Sequence, residues 1–190
     1  MITSRLAKFA LFVIGLMFSV TFVSAQEVVY DNTSGNNNFR MIVSSEKSCA
    51  VAQESFWASF YLIWGGNQEM GDYHLSIRYC AANPCSIEQG GLLRLILKDG
   101  MKINLSCDEA TTSEQSSDPF VADVPYPHEI CCMFTVTKLQ LRQIIALGVK
   151  SVSLELSPKE ITAQGEFKDF GDNLSTMLHV IDVRKLTKSR

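Results

Sequence analysis

Most of the signatures that identify an enzyme are missing from this sequence. Among its 190 residues there is no Gly-x-Ser-x-Gly, no His-Glu-x-x-His and no Gly-x-Gly-x-x-Gly. The common nucleophile-elbow, zinc-peptidase and dinucleotide-binding patterns are thereby excluded. Histidine occurs only three times, with no His-x-x-x-His pair, and there is no Cys-x-x-Cys, so the usual structural zinc spacings are absent. Basic excess is lacking too: 17 Lys and Arg stand against 20 Asp and Glu. Nucleic-acid binders carry a basic face, and the one basic cluster, Arg184, Lys185, Lys188 and Arg190, reads as a solvated chain end. After residue 25 no apolar run is long enough to span a bilayer.

What is there begins with an export signal. Arg5 and Lys8 charge the N-terminus, Phe9 to Val23 is an uncharged apolar run, and Val23-Ser24-Ala25 ends in small residues before Gln26. These are the three parts of a secretory signal peptide. The rival, an uncleaved anchor, needs roughly 20 apolar residues, more than this run supplies. The expected organisation is a signal peptide over residues 1–25 and a single exported globular domain over 26–190, in the periplasm or outside the cell. No Cys lies near the cut for lipid attachment, and no membrane span is expected once the signal is removed. Losing Arg5 and Lys8 takes the formal charge from −3 to −5, so no nucleic acid is expected as a partner.

The body of the chain predicts an α+β fold: mostly antiparallel β-sheet, with a helix at about 138–147 packed on it and a second helix at the C-terminus. The polar run 31–38 reads as a loop or loose lead, and Phe39, Met41 and Val43 as the apolar face of a first strand. Aromatic Ser55–Trp64 reads as a strand buried on both faces, with a helix through Ala52, Phe56, Phe60 and Trp64 as the rival. Tyr73, Leu75, Ile77 and Tyr79 alternate with His74, Ser76 and Arg78, a strand with one wet face. Over 92–107 the leucines set the register of a hairpin. A two-residue turn at Asp99-Gly100 would mix the faces, whereas a three-residue loop, Lys98-Asp99-Gly100, pairs Leu97 with Met101, Leu95 with Ile103 and Leu93 with Leu105. Residues 108–128 read as a long acidic loop and a candidate partner surface.

Ile130, Cys132, Phe134 and Val136 share the core face of another strand. It enters a helix punctuated by Thr137 as N-cap, Gln140 for a capping box, Val136 and Leu141 for a hydrophobic staple, and Gly148 as a left-handed stop. Val152, Leu154 and Leu156 form the next strand. Asp172 can cap a C-terminal segment in which Leu174, Met177, Leu178 and Ile181 follow helical spacing, while Val180, Ile181 and Val183 keep a strand over 173–186 as the alternative. The Lys-Asp-Gly hairpin in Leu92–Leu105, followed after a variable loop by the Thr-capped helix and strand in Phe134–Leu156, resembles a pattern in small, functionally uncharacterised exported proteins of Bacteroides-type bacteria. The resemblance implies architecture and compartment, and no catalytic residue.

Chemistry rests on six cysteines, an even number that in an exported protein points to disulfides. Cys80 and Cys85 flank the turn Ala81-Ala82-Asn83-Pro84 and are the candidate bridge, since a turn can bring their α-carbons within the roughly 4.4–6.8 Å that a disulfide needs. The pairing of Cys49, Cys107, Cys131 and Cys132 stays open; strand alternation turns Cys132 to the core and Cys131 away from it. Zinc at His74, Cys80, Cys85, His128, Cys131 and Cys132 competes, but alternation scatters those ligands. The expectation is a cell-envelope binding or interaction module without catalytic activity or cofactor, its partner a protein or glycan; the alternative is a thiol- or zinc-dependent protein using the cysteines. Cleavage after Ala25 has a direct check: N-terminal sequencing of exported protein yields Gln26 first, whereas a chain retaining Met1 in the membrane fraction refutes the signal reading.

Overall fold

Alternating side chains of three long strands decide the architecture. The computed structural model describes residues 28–34, 39–51, 56–67, 70–115, 127–165, 167 and 169–187; the expected signal peptide and its cleavage site lie outside them. In chain order the elements are β1 (Val28–Ser34), β2 (Phe39–Ser44), β3 (Lys47–Val51), β4 (Phe56–Gly66), β5 (Gly71–Ala81), β6 (Ser86–Ile87), β7 (Leu92–Leu97) and β8 (Lys102–Ser106). There follow β9 (Thr111–Thr112), β10 (Glu114–Gln115), β11 (His128–Val136), α1 (Lys138–Leu147), β12 (Val149–Leu154), β13 (Ile161–Gln164) and α2 (Phe170–Leu186). The α+β expectation holds. All the strand pairs are antiparallel, in a seven-stranded sheet ordered β1-β2-β4-β5-β11-β10 with β3 also on β4, a four-stranded sheet ordered β13-β12-β7-β8, and the small pair β6-β9.

In the large sheet β4 turns Ala58, Phe60, Leu62 and Trp64 inward, β5 turns Tyr73, Leu75, Ile77 and Tyr79, and β11 turns Ile130, Cys132, Phe134 and Val136. The segment expected as strand or helix at 55–64 is therefore a strand over its described part. It is not buried on both faces: Ser59, Tyr61 and Ile63 stay half-exposed on the outer side, as an antiparallel sheet with one solvated face allows. The edge beside β4 is broken at Ser45 and Glu46, with β2 pairing one end of β4 and β3 the other. The Leu62 N–H at the break donates instead to the buried Ser44 Oγ at 2.9 Å, so this donor keeps a partner where the ladder is interrupted.

Two expectations at this edge are corrected. The inward face of β2 is Ile42 and Ser44, not Phe39, Met41 and Val43, because Ile42 pairs with inward-facing Trp64. Phe39 lies outside, its ring filling the space over Gly65. Asp31–Ser34, expected in a loop, belong to β1, while 35–38 lie outside the described residues. Asp31 is held there by a two-pronged pair with Arg40, at 2.8 and 2.7 Å. The Arg40 bond holds the Asp31 carboxyl below its ordinary range, against the opposing effect of burial.

The 92–107 hairpin has the expected register: Leu93 pairs with Leu105 and Leu95 with Ile103, while the Leu97 N–H donates to Met101 O at 2.8 Å. Gly100 closes the loop with φ +91. Leu93, Leu95, Leu97, Ile103 and Leu105 are buried, each contributing about 2 kcal/mol relative to exposure; Met101, expected with them, is exposed at the mouth of the turn. Past β8 the chain changes sheets. Cys107 bridges to Phe134, Asp108 N–H donates to Met133 O at 2.8 Å, and β10 pairs with β11 further on. The expected long loop thus contains two short strands, β9 paired with β6 and β10 paired with β11, and residues 116–126 lie outside the described region.

The helices close one end. Thr137 and Gln140 form the expected capping box, and Leu141 and Ile144 are buried. Gly148 has the expected positive φ, 69°, but ψ of 162° makes it extended rather than left-handed helical, which turns the chain straight into β12. The C-terminal segment is helical, with Phe170, Leu174, Met177, Leu178 and Ile181 buried. Its N-cap is Asp169, not Asp172; Asp172 sits in the first turn, where a negative charge favours the helix dipole. Burial of the β-branched Val180 and Ile181 outweighs their weaker helix propensity. The Phe170 ring lies 4.3 Å from that of Phe60. At the other end of α2, Asp182 accepts bonds from Tyr73 and Lys138, both at 2.6 Å, and Lys185 lies 4.6 Å from the Trp64 ring. Burial pushes the Asp182 pKa up, but the bonds from Lys138 and Tyr73 and the lysine charges bring it below its ordinary value.

The hairpin register is checked by two substitutions. No atom lies within 4 Å of a Cβ built at Gly100, so Gly100→Val acts through backbone strain alone and lowers stability by about 1–3 kcal/mol. Asp99→Ala removes one exposed bond to the Met101 N–H and costs less, about 0.5–1 kcal/mol. Equal denaturation midpoints would refute the turn geometry.

Candidate functional site

With Ile130 and Cys132 turned to the core, alternation puts Glu129 and Cys131 on the outer face of the large sheet. Register then chooses their neighbours. Cys131 lies opposite Arg78, which in turn lies opposite Ser59; Glu129 lies opposite Cys80; Ser76 lies between Tyr61 and Met133. Arg78 Nε is 3.0 Å from Glu129 and 3.2 Å from Glu46, and Ser59 Oγ donates to Glu46 as well. Burial lowers the Arg78 pKa, but the two carboxylates outweigh it and hold the guanidinium firmly charged.

Cys131 Sγ is 3.3 Å from Ser76 Oγ and 3.6 Å from the Tyr61 hydroxyl. Ser76 is buried although it belongs to the outer face, with the thiol as its hydrogen-bond neighbour. Burial raises the Tyr61 hydroxyl pKa, and contact with Cys131 adds to it against the opposing pull of Ser76 and Arg78. Above these residues the strands β9 and β10 raise a wall. The result is a cleft of about 340 Å³ lined by Arg78, Glu129, Cys131 and the wall residues Thr111, Thr112, Glu114 and Gln115. Among the described residues its one cation stands against Glu114 and Glu129, with Glu46 beyond, so this lining favours neutral or cationic ligands over anions.

The arrangement offers donors, acceptors and a thiol, with the Arg78 guanidinium opposite Cys131. His74 lies opposite Thr135, four residues along β11 from Cys131, roughly 13 Å at strand rise. That imidazole is occupied: Nδ1 is 2.9 Å from Asp108, which also accepts from the Thr135 N–H and hydroxyl. Among the described residues the polar neighbours of Cys131 Sγ are the Ser76 and Tyr61 hydroxyls, and His74 is not one of them.

The other cysteines are dispersed. The Cys80–Cys85 bridge is not formed in the structure; both are free thiols. Cys80 is on the outer face with Arg78 and Glu129, whereas Cys85 packs against the core and is pinned to Ser113, with bonds of 2.9 and 2.8 Å. The turn between them brings the chain round but points the two sulfurs to different sides. Burial raises the Cys80 and Cys85 thiols, and also Cys107 and Cys132, which are enclosed in the core. Cys132 is further raised by Cys107, Cys131 and Cys85. Cys49 in β3 pairs with Ala58 of β4; its side chain is outside the described set. His128 is half-buried at the start of β11, and His179 is exposed on α2. No group of three or more His, Cys, Asp or Glu among the described residues is placed to hold a metal ion, so the zinc alternative has no ligand set there.

Sequence reasoning placed Cys131 on the outward face and Arg78 on a wet face. It did not find their pairing, or the parts played by Glu46, Tyr61, Ser76 and Glu129. The signal available was the alternation of each strand; which strand lies beside which was not encoded locally. Compared with known proteins, the chain matches no family model, no curated protein and no solved structure.

Thiol accessibility checks the two faces. Under native conditions iodoacetamide modifies exposed Cys131 first, while Cys107 and Cys132 react only as the domain opens. Peptide mapping that finds Cys132 as reactive as Cys131 would overturn the assignment of β11 faces.

Proposed function

We propose that the protein is an exported binding module of the cell envelope, without catalytic activity, and that its cleft takes a neutral, hydroxyl-rich glycan. The carrying observation is the Arg78 guanidinium fixed between Glu46 and Glu129 at the floor of a polar cleft. A rigid fork of donors beside carboxylate, amide and hydroxyl acceptors suits a ligand that is itself a dense array of hydroxyls. The net acidic lining disfavours anionic ligands, and among the described residues the lining has no buried aromatic or aliphatic anchor of the kind around which protein interfaces are built. Export is supported by the sequence: the charged start, apolar run and small-residue exit through Ala25.

The thiol alternative has one specific observation, the exposed Cys131 in the same cleft. Calorimetric titration with a panel of neutral oligosaccharides separates the two. A binding oligosaccharide should lose about tenfold or more in affinity on Arg78→Ala or Glu129→Gln, each of which removes hydrogen bonds to a charged group worth about 1.5–3 kcal/mol. Cys131→Ser should leave affinity within a few-fold. Affinity that survives both cleft variants but vanishes with Cys131→Ser would contradict the glycan reading and favour the thiol.

A further inference from the structure

The Arg78 guanidinium in the cleft is held at its root and open at its tip. Both carboxylates make their nearest approach at Nε, Glu129 at 3.0 Å and Glu46 at 3.2 Å. Glu46 is steadied in turn by the Ser59 hydroxyl. Among the described residues no hydrogen bond reaches Nη1 or Nη2, and the side chain is 43% exposed, so both terminal nitrogens are left to the cleft. A guanidinium carries its donors in a rigid planar fork. With Nε anchored between Glu129 of β11 and Glu46 at the β2–β3 break, the direction of that fork is set before a ligand arrives.

On the β10 side, Glu114 lies directly opposite Glu129, which puts the two carboxylates on one face. The lining therefore sets paired donors beside carboxylate acceptors. A hydroxyl accepts and donates at once. Two hydroxyls on adjacent ring carbons present their oxygens side by side, as a two-armed donor requires. One oxygen accepts from Nη1 and the other from Nη2, and their protons are left for Glu129 and Glu114. A hydroxyl without such a neighbour engages one arm only. A carboxylate or phosphate fits the same fork, but it has to sit among Glu46, Glu114 and Glu129; a neutral diol meets no such repulsion. We infer that Arg78 chelates a vicinal diol of the glycan between Nη1 and Nη2, and so decides which linkages the cleft accepts. This rests on the cleft being a glycan site and narrows its ligands to chains whose sugars keep two adjacent hydroxyls unsubstituted.

The test titrates four neutral hexasaccharides calorimetrically into the protein. Cellohexaose, xylohexaose and β-1,4-mannohexaose keep adjacent 2- and 3-hydroxyls on every interior sugar, whereas the 3-linkage of laminarihexaose removes that pair from its interior sugars. At least one of the first three should bind about tenfold more tightly than laminarihexaose. Arg78→Lys keeps the charge but not the fork, and should bring that ligand within a few-fold of laminarihexaose. A merely structural role for Arg78 would weaken all ligands alike and preserve the ratio; melting temperatures show that the variant remains folded. Laminarihexaose bound as tightly as the other three, or a ratio that survives Arg78→Lys, overturns the inference and leaves the glycan reading standing. Binding by none of the four overturns both.

Discussion

The ladder between β5 and β11 is the constraint on which the rest of this structure depends. It runs without a register shift from Ala81 opposite His128 to Tyr73 opposite Val136. Because side chains alternate, that single register settles two surfaces at once. On the inside it brings Leu75, Ile77 and Tyr79 against Phe134, Cys132 and Ile130. On the outside it sets Arg78 beside Cys131 and Cys80 beside Glu129. A slip of β11 by one residue would bury Glu129 and Cys131 and expose Ile130, Cys132 and Phe134, so the stability of the fold and the geometry of the cleft have one cause.

The same strand links the remaining parts. Cys107 bridges to Phe134, so the chain leaving the smaller sheet is attached to the larger one at β11. β11 then runs directly into Thr137 and α1. Asp182, which joins Tyr73 on β5 to Lys138 on α1, ties the C-terminal helix to that junction. Trp64 is packed there tightly enough that a Cβ on Gly71 would lie 2.5 Å from its ring, leaving glycine as the residue that fits. One continuous core runs from Ile42 through both sheets to Ile181. The cleft lies outside this core, on the outer face of the β5–β11 ladder where the edge strand β10 joins β11.

What could be read from the sequence follows from how local each determinant is. The loop at Lys98-Asp99-Gly100 was legible because only one register keeps Leu93, Leu95 and Leu97 on the face of Ile103 and Leu105. α1 was legible because Thr137 and Gln140 satisfy each other within one turn. β1 was not, since Asp31, Asn32, Thr33 and Ser34 have loop composition and become a strand through pairing with β2 and the Arg40 bond. β2 was assigned to the wrong face because its alternation is ambiguous until Ile42 is set opposite Trp64. The Cys80–Cys85 expectation rested on the turn Ala81-Ala82-Asn83-Pro84, and a turn that reverses the chain does not report which way the flanking side chains point; both thiols are free in the structure. The cleft was the least legible feature: Glu46, Arg78 and Glu129 come from three separate segments and meet only through tertiary pairing.

The central claim is that the β5–β11 ladder is the most stable part of the molecule and holds the outer-face residues in place. Native-state amide hydrogen exchange measures it directly, since amides that exchange only by global unfolding mark the last structure to open. The account predicts that the slowest amides lie in β4, β5 and β11, with the edge strand β1 and the short β9 and β10 exchanging well before them. Early exchange in β5 and β11 while β7 and β12 stay protected would contradict it.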